Sequence, residues 1–175
     1  MIIKKILNNN VVITTNYQME EIIVMGKGLA YGKQAGDNID MNKINKTFEV
    51  SLKPSQRKMI NMLKDIPLEY MEISDCVIKE AKVDLEVDDS LYISLTDHIH
   101  TSIERYKEGV YLKNHMLFEI KNFYPKEFEL GLLTLKLIKE KYGINMEEDE
   151  AAFLALHIVS SEVGRNISDI YEMTN

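Results

Sequence analysis

A small antiparallel β-sheet domain followed by an all-α helical bundle is the architecture that this 175-residue sequence predicts. Two changes along the chain predict it. Up to about Ser55 the apolar residues fall in short runs separated by turn-forming residues, whereas beyond Pro54 they recur at helical spacing. The charge balance changes at the same place. Met1 to Ser55 carries seven Lys against five Asp or Glu, net +2, and the remainder carries fourteen basic against twenty-three acidic residues, net −9, in agreement with −7 for the chain. A small basic β module joined to a larger acidic helical one implies that the first part touches a polyanion and the second does not.

Alternation and turn chemistry place strands at roughly Ile2–Leu7, Val11–Thr15, Glu21–Met25 and Thr47–Leu52, with turns at Asn16-Tyr17-Gln18-Met19 and Gly36-Asp37-Asn38. Four short strands make a marginal core, and domains this small often complete themselves by oligomerising, so a dimer is expected on size grounds. Gln56–Leu63 reads as a short helix or a linker. Pro67 opens a helix through about Ala81. Asp88-Asp89-Ser90 caps another that runs to Glu108 and stops at Gly109. A further helix covers about Met116 to Phe123, and Pro125 fits the first turn of one lasting to Tyr142, with Gly143 at its end. The acidic run Glu147-Glu148-Asp149 opens a last helix that ends near Gly164. The domain boundaries expected from this pattern are 1–55 and 65–170, with 56–64 between them.

Composition narrows the class. With 45% apolar residues the chain can bury real cores, and a single Cys leaves no internal disulfide. The start Met-Ile-Ile-Lys-Lys reads as a strand, because a secretory signal places its charges before the apolar run. With no long apolar span either, a cytoplasmic protein without a membrane partner is expected. Cys76 has no His or Cys at metal-ligand spacing and is read as a small helical packing residue.

Within the β module the run Met25-Gly26-Lys27-Gly28-Leu29-Ala30-Tyr31-Gly32-Lys33 has the parts of a nucleic-acid reader. Gly26 and Gly28 permit close backbone approach and positive φ. Lys27 and Lys33 suit phosphate, and Tyr31 offers a ring face for a base. Asn8, Asn9 and Asn10 lie between two strands, where their amides either pair with base edges or form the turn. A Gly-Lys-Gly is commonly a turn, and so is an Asn triplet. These residues by themselves leave both readings open.

The four His are separated by their positions on helices. On the Ser90–Glu108 helix, Leu91, Leu95, Ile99, Ile103 and Tyr106 form the apolar stripe. His98 falls on its edge and His100 points well away, so His100 is expected in solvent. On the last helix His157 lies between two apolar faces, in a narrow polar stripe with Glu150 and Ser161. Chemistry alone favours a half-buried His hydrogen-bonded to a carboxylate there. His115, near a helix start, is expected to be exposed or part of a cap. Metal binding is disfavoured, since no His pair stands at i, i+4 and no Cys cluster exists. Nucleophilic hydrolysis is disfavoured too, because no Gly-x-Ser-x-Gly elbow or Cys–His pattern is present.

Several segments carry a specific likeness. Lys4-Lys5-Ile6-Leu7-Asn8-Asn9-Asn10-Val11-Val12, Val24-Met25-Gly26-Lys27-Gly28-Leu29-Ala30-Tyr31, Gly36-Asp37 and Ile44-Asn45-Lys46-Thr47-Phe48 closely resemble the co-antiterminator RNA-binding domain of BglG/SacY/LicT-type transcriptional antiterminators. Leu95-Thr96-Asp97-His98-Ile99, Ile103-Glu104-Arg105, Tyr124-Pro125-Lys126-Glu127-Phe128 and Glu148-Asp149-Glu150-Ala151 through Ala155-Leu156-His157-Ile158-Val159 resemble the family's first regulation domain. The resemblance implies a symmetric homodimer that binds an antiterminator RNA hairpin through Lys5, Asn10, Gly26, Lys27 and Tyr31. It implies that His98 and His157 are phosphorylated by proteins of the sugar phosphotransferase system, HPr or the EIIB domain of a sugar permease, with Asp97 and Glu150 in support. It implies no cofactor and no enzymatic activity, since the donor supplies the catalytic power. The pattern departs from the family at Tyr31, where relatives generally have Phe, and at Lys27, where the planar fork of an Arg is absent. Members of this type usually continue into a second regulation domain, so the sequence reads as a fragment or a natural short form. A regulatory scaffold that acts by protein–protein contact without RNA is the alternative.

Overall fold

A computed structural model describes residues 1–49, 61 and 63–162, and the chain divides into a unit from Met1 to Leu68 and a unit from Glu69 onward. Most of the expected Gln56–Leu63 segment, the end of the fourth strand and the end of the last helix lie outside the described residues.

The first unit holds four strands, β1 (Lys5–Asn8), β2 (Val11–Thr15), β3 (Glu21–Met25) and β4 (Lys46–Glu49), in one antiparallel sheet of order β1-β2-β3-β4. The central pair has uninterrupted apolar sequence rather than strict alternation, the pattern of strands covered on both faces. Accordingly Val11 to Thr14 and Ile22 to Met25 are all buried. Register puts Val12 opposite Val24 and Thr14 opposite Ile22, and Val11 opposite Met25 and Ile13 opposite Ile23. The first face packs with Ile3, Leu29, Ala30 and Ile39, so the chain after β3 folds back over it. Buried Thr14 donates its hydroxyl to the Ile2 carbonyl at 2.6 Å.

The first strand is shorter than its apolar run. Ile2 makes only an isolated bridge to Asn38. Its neighbour Ile3 donates its N–H to Asp37 O at 2.9 Å and accepts from Gly36 N at 2.8 Å. The start of the chain is thus stitched to the 36–39 loop, and regular pairing with β2 begins at Lys5.

The second unit is helical: α1 (Leu68–Asp84), α2 (Ser90–Lys107), α3 (Leu117–Phe123), α4 (Pro125–Tyr142) and α5 (Glu148–Ser161). Its punctuation is chemical. Asp88 Oδ1 accepts from Ser90 N at 2.8 Å ahead of α2. Pro125 takes the first turn of α4, and Gly143, at φ 69°, ends it with its N–H on Lys139 O. α5 is apolar on most sides, with Ala151, Ala152, Leu154, Ala155, Ile158 and Val159 buried, and serves as the central helix. It runs tightly against α4: a Cβ on Gly131 would lie 2.2 Å from the Ala151 carbonyl oxygen.

Two expectations about single residues need correction. Cys76 is exposed, because α1 buries the face formed by Tyr70, Met71, Ile73, Ser74, Val77, Ile78 and Ala81. His100 is half-buried, because Tyr70 of α1 covers it, ring edge to ring face at 5.7 Å. Among the described residues no helix is long and apolar enough to cross a membrane.

Candidate nucleic-acid interface and histidine site

The loop after β3 is locked onto the turn between β1 and β2. Gly26 N–H donates to Asn10 O at 2.9 Å, Ala30 N–H to Asn9 O at 2.9 Å, and Gly28 N–H to the Asn10 side-chain Oδ1 at 2.8 Å. Asn8 holds the turn itself: its Oδ1 accepts from Asn10 N at 2.8 Å, and its Nδ2 donates to Leu63 O and Lys64 O at 3.1 and 3.2 Å. The two glycines do different work. Gly26 is buried, and a Cβ there would stand 1.7 Å from Lys43 O, so only glycine fits that approach. Gly28 supplies a positive φ of 63° at the bend. Buried Leu29 and Ala30 pin the far side of the loop to the core.

These contacts divide the sequence-derived residues into two groups. Asn10 and Gly26 are spent on the loop itself, along with Asn8. Lys27, Tyr31 and Asn9 point outward, with Tyr31 77% exposed and no hydrogen bond to any of the three side chains among the described residues. Lys5 is exposed on β1, opposite Ile13. The arrangement is a rigid backbone platform that presents one cation, one aromatic ring and one amide to solvent. Such a set has the chemistry to stack on an unpaired base, contact phosphate and read a base edge. The Tyr31 hydroxyl, extra relative to a Phe, is met by water at this exposure.

The helical unit brings His98 of α2 and His157 of α5 together. His157 Nε2 lies 3.3 Å from His98 Nδ1, and the ring centroids are 4.9 Å apart. On its other side His98 Nε2 meets Glu150 Oε2 at 2.9 Å. Arg105 completes the row, its Nη2 donating to Glu150 Oε1 at 3.0 Å and Oε2 at 3.3 Å. Ionised Glu150 only accepts, so the His98 proton sits on Nε2 in this arrangement. A neutral His98 then accepts at Nδ1 from His157 Nε2–H. Burial alone raises the Glu150 carboxyl, but the hydrogen bonds and charges of His98 and Arg105 outweigh it and hold the group below its ordinary range. Burial, with His98 adding to it, pushes His157 down to about 4, so its ring is neutral at physiological pH. The neighbouring Asp149 accepts from Asn114 N at 2.8 Å and Lys113 Nζ at 3.1 Å, which anchors the segment leading into α3.

Glu150 is therefore in the cluster, but bonded to His98 rather than to His157, its companion on the same helix. Asp97 is not brought in, because adjacent residues on a helix face different directions; its carboxylate has no hydrogen bond among the described residues. His115 is exposed. Arg105 was not among the residues singled out for chemistry, although its spacing of seven from His98 places both on one face of α2. Among the described residues no group of three or more His, Cys, Asp or Glu is placed to hold a metal ion.

Two family models match, the CAT RNA binding domain over residues 1–57 and the PRD domain over residues 71–161. The chain is 31% identical to the protein in a crystal structure of GlcT CAT-PRDI, covering 93% of this chain and 98% of that one with a TM-score of 0.76. The chain belongs to the BglG/LicT/GlcT family of transcriptional antiterminators. It is also 43% identical to the transcription antiterminator LicT of Bacillus subtilis and 40% identical to the beta-glucoside operon antiterminator of Dickeya chrysanthemi, in each case over 99% of its own length. It spans 64% and 62% of those relatives, a little under two thirds. The antiparallel sheet and the helical bundle are the CAT and PRD architectures in that order.

Proposed function

We propose that the chain is the RNA-binding and first regulatory part of a cytoplasmic antiterminator, with residues 1–55 as the RNA module, 56–64 as the connection and 65–170 as the regulation domain. The module acts as a symmetric dimer. It binds a hairpin in the nascent transcript of a sugar-utilisation operon and keeps an overlapping terminator from folding. The observation that carries this reading is the loop from Gly26 to Lys33, fixed by Asn8 and Asn10 and presenting Lys27 and Tyr31 outward. RNA contact is assigned to Lys5, Lys27 and Tyr31 by side chain, and to Asn10 and Gly26 through the loop they shape. Few cations per monomer means that affinity rests on dimerisation and stacking as much as on counterion release.

Control is assigned to His98 and His157, phosphorylated by phosphotransferase-system proteins, HPr or a permease EIIB domain. Phosphorylation exchanges a neutral or cationic ring for a dianionic group. Placed beside Glu150, that charge repels the carboxylate and moves the α2–α5 packing to another arrangement, which loosens the attached RNA-binding dimer.

A gel-shift assay of the full chain with the hairpin upstream of its own operon tests the RNA half. Phosphohistidine mapping under non-acidic conditions tests the other, with label expected on His98 and His157 and absent from His100 and His115. No shift with structured RNA, or label chiefly on His100, refutes the corresponding half.

A further inference from the structure

His98 has two ring nitrogens, and the structure surrounds them differently. Nδ1 faces the ring nitrogen of His157 at 3.3 Å, with no room between them for a phosphorus and its oxygens. Nε2 faces the end of a flexible side chain, Glu150, whose Oε2 it touches at 2.9 Å. That same oxygen atom also lies 3.3 Å from Arg105 Nη2. Both nitrogens are therefore within reach of one oxygen position. Arg105 has spare capacity as well, since its Nε–H is buried without a hydrogen-bond partner among the described residues. A buried donor left unpaired is unfavourable and is a standing site for an acceptor to fill.

We infer that His98 carries its phosphoryl group on Nε2, in the space now held by the Glu150 carboxylate, and that Arg105 transfers its hydrogen bonds from Glu150 to the phosphoryl oxygens. This rests on the phosphohistidine reading above and assigns Arg105 as the phosphoryl-binding residue. The step balances. Nε2 gives up the proton it donates to Glu150, which ends on the donor's leaving atom, and the in-plane electron pair so freed forms the N–P bond as the donor's own bond to phosphorus breaks. The ring is left with its lone pair on Nδ1, the atom that accepts from His157 Nε2–H before the transfer. Guanidinium offers phosphate oxygens a planar fork of donors, of which Nη2 is the one that reaches Glu150 among the described residues. Two anions cannot share the position, and Glu150 is the one expelled.

The test uses the full chain with His labelled by nitrogen-15 and potassium phosphoramidate as a small phosphoryl donor, so that no partner protein is needed. Ammonium is then the leaving group. Proton–nitrogen correlation spectra identify the phosphorylated atom, and phosphorus NMR gives its occupancy. Label on His98 Nε2 is expected. Arg105→Gln lowers occupancy by about tenfold, the scale of a lost charge-assisted hydrogen bond, Arg105→Lys restores part of it, and Glu150→Gln leaves it equal or higher. Each single variant breaks the same Arg–Glu pair, so a merely structural role for Arg105 shifts Arg105→Gln and Glu150→Gln in the same direction, and that result overturns the inference. So does label on Nδ1, or no label on His98. Label from phosphoramidate on Nε2 but none from a phosphotransferase-system donor sustains the assignment of Arg105 and instead refutes the proposed donor.

Discussion

Replacing Gly26 by alanine sets a methyl group 1.7 Å from the Lys43 carbonyl oxygen and 2.8 Å from its carbon. Real contacts of this kind are not found below 3.0 Å, so two backbone segments must separate by more than an ångström. Neither can yield alone. Gly26 N–H is held by Asn10 O at 2.9 Å, and two residues beyond Lys43 the Asn45 N–H is held by Met25 O at 2.8 Å. Overpacking costs about 1–3 kcal/mol, and disturbing these two backbone bonds adds about 1 kcal/mol each or somewhat more. The expected destabilisation of the β unit is therefore about 3–5 kcal/mol. Gly28→Ala is the control. Its nearest neighbour is Tyr31 Cβ at 4.0 Å, so it meets only the left-handed φ, a cost of about 1–2 kcal/mol. Amide hydrogen exchange on the full chain reads both. In Gly26→Ala the protection of β2 and β3 should fall by about two to three and a half orders of magnitude, at 1.4 kcal/mol per tenfold, with α5 unchanged as internal reference. A loss of protection below fivefold would show that the close approach at Lys43 relaxes freely and that the platform is not rigid.

Tyr31→Ala should weaken hairpin binding by about 1–3 kcal/mol and Tyr31→Phe by little, both with unchanged circular dichroism, because the ring is exposed; equal affinity of a folded alanine variant removes Tyr31 from the interface. The depressed pKa of His157 gives a pH signature. The unfolded chain binds its proton near pH 6.5 and the folded chain only near pH 4, so stability is full above the first value and falls as pH drops through the second. Thermal unfolding from pH 7 to pH 4 should show this decline, and His157→Gln should flatten it; a wild-type profile that stays level across that range contradicts the burial argument. Gly131→Ala drives a methyl to 2.2 Å from Ala151 O and should lower the melting temperature of the helical unit by several degrees per kcal/mol lost, with a calorimetric scan as the check.

What the sequence made legible was local. β2 and β3 have the expected bounds because each is an apolar run closed by turn residues, and α4 is framed by Pro125 and Gly143. The bounds of β1 were not legible, since the pairing of Ile3 with Gly36 and Asp37 is tertiary and leaves no mark on the run Ile2 to Leu7. A helical wheel placed His98 at the edge of the apolar stripe, which its half-burial matches. The same wheel sent His100 to solvent, because it cannot see Tyr70 arriving from another helix. The partner of Glu150 escaped in the same way. A shared stripe with His157 is a property of one helix, whereas the bond to His98 depends on how α2 and α5 meet. Family resemblance singled out both His98 and His157, but their contact, too, depends on how α2 and α5 meet.

The allocation of duties within the first unit bears on how such a module diversifies. Asn8, Asn10 and Gly26 carry the architecture of the loop, while the side chains of Asn9, Lys27 and Tyr31 carry none of it. On the proposed interface, exchanges at the latter three positions should alter what is recognised and leave the hydrogen bonds of the loop in place. A library randomised there alone should yield mostly folded proteins with retuned transcript preference, a route to several mutually insulated antiterminators within one cell. Randomising the former three should yield mostly unfolded ones.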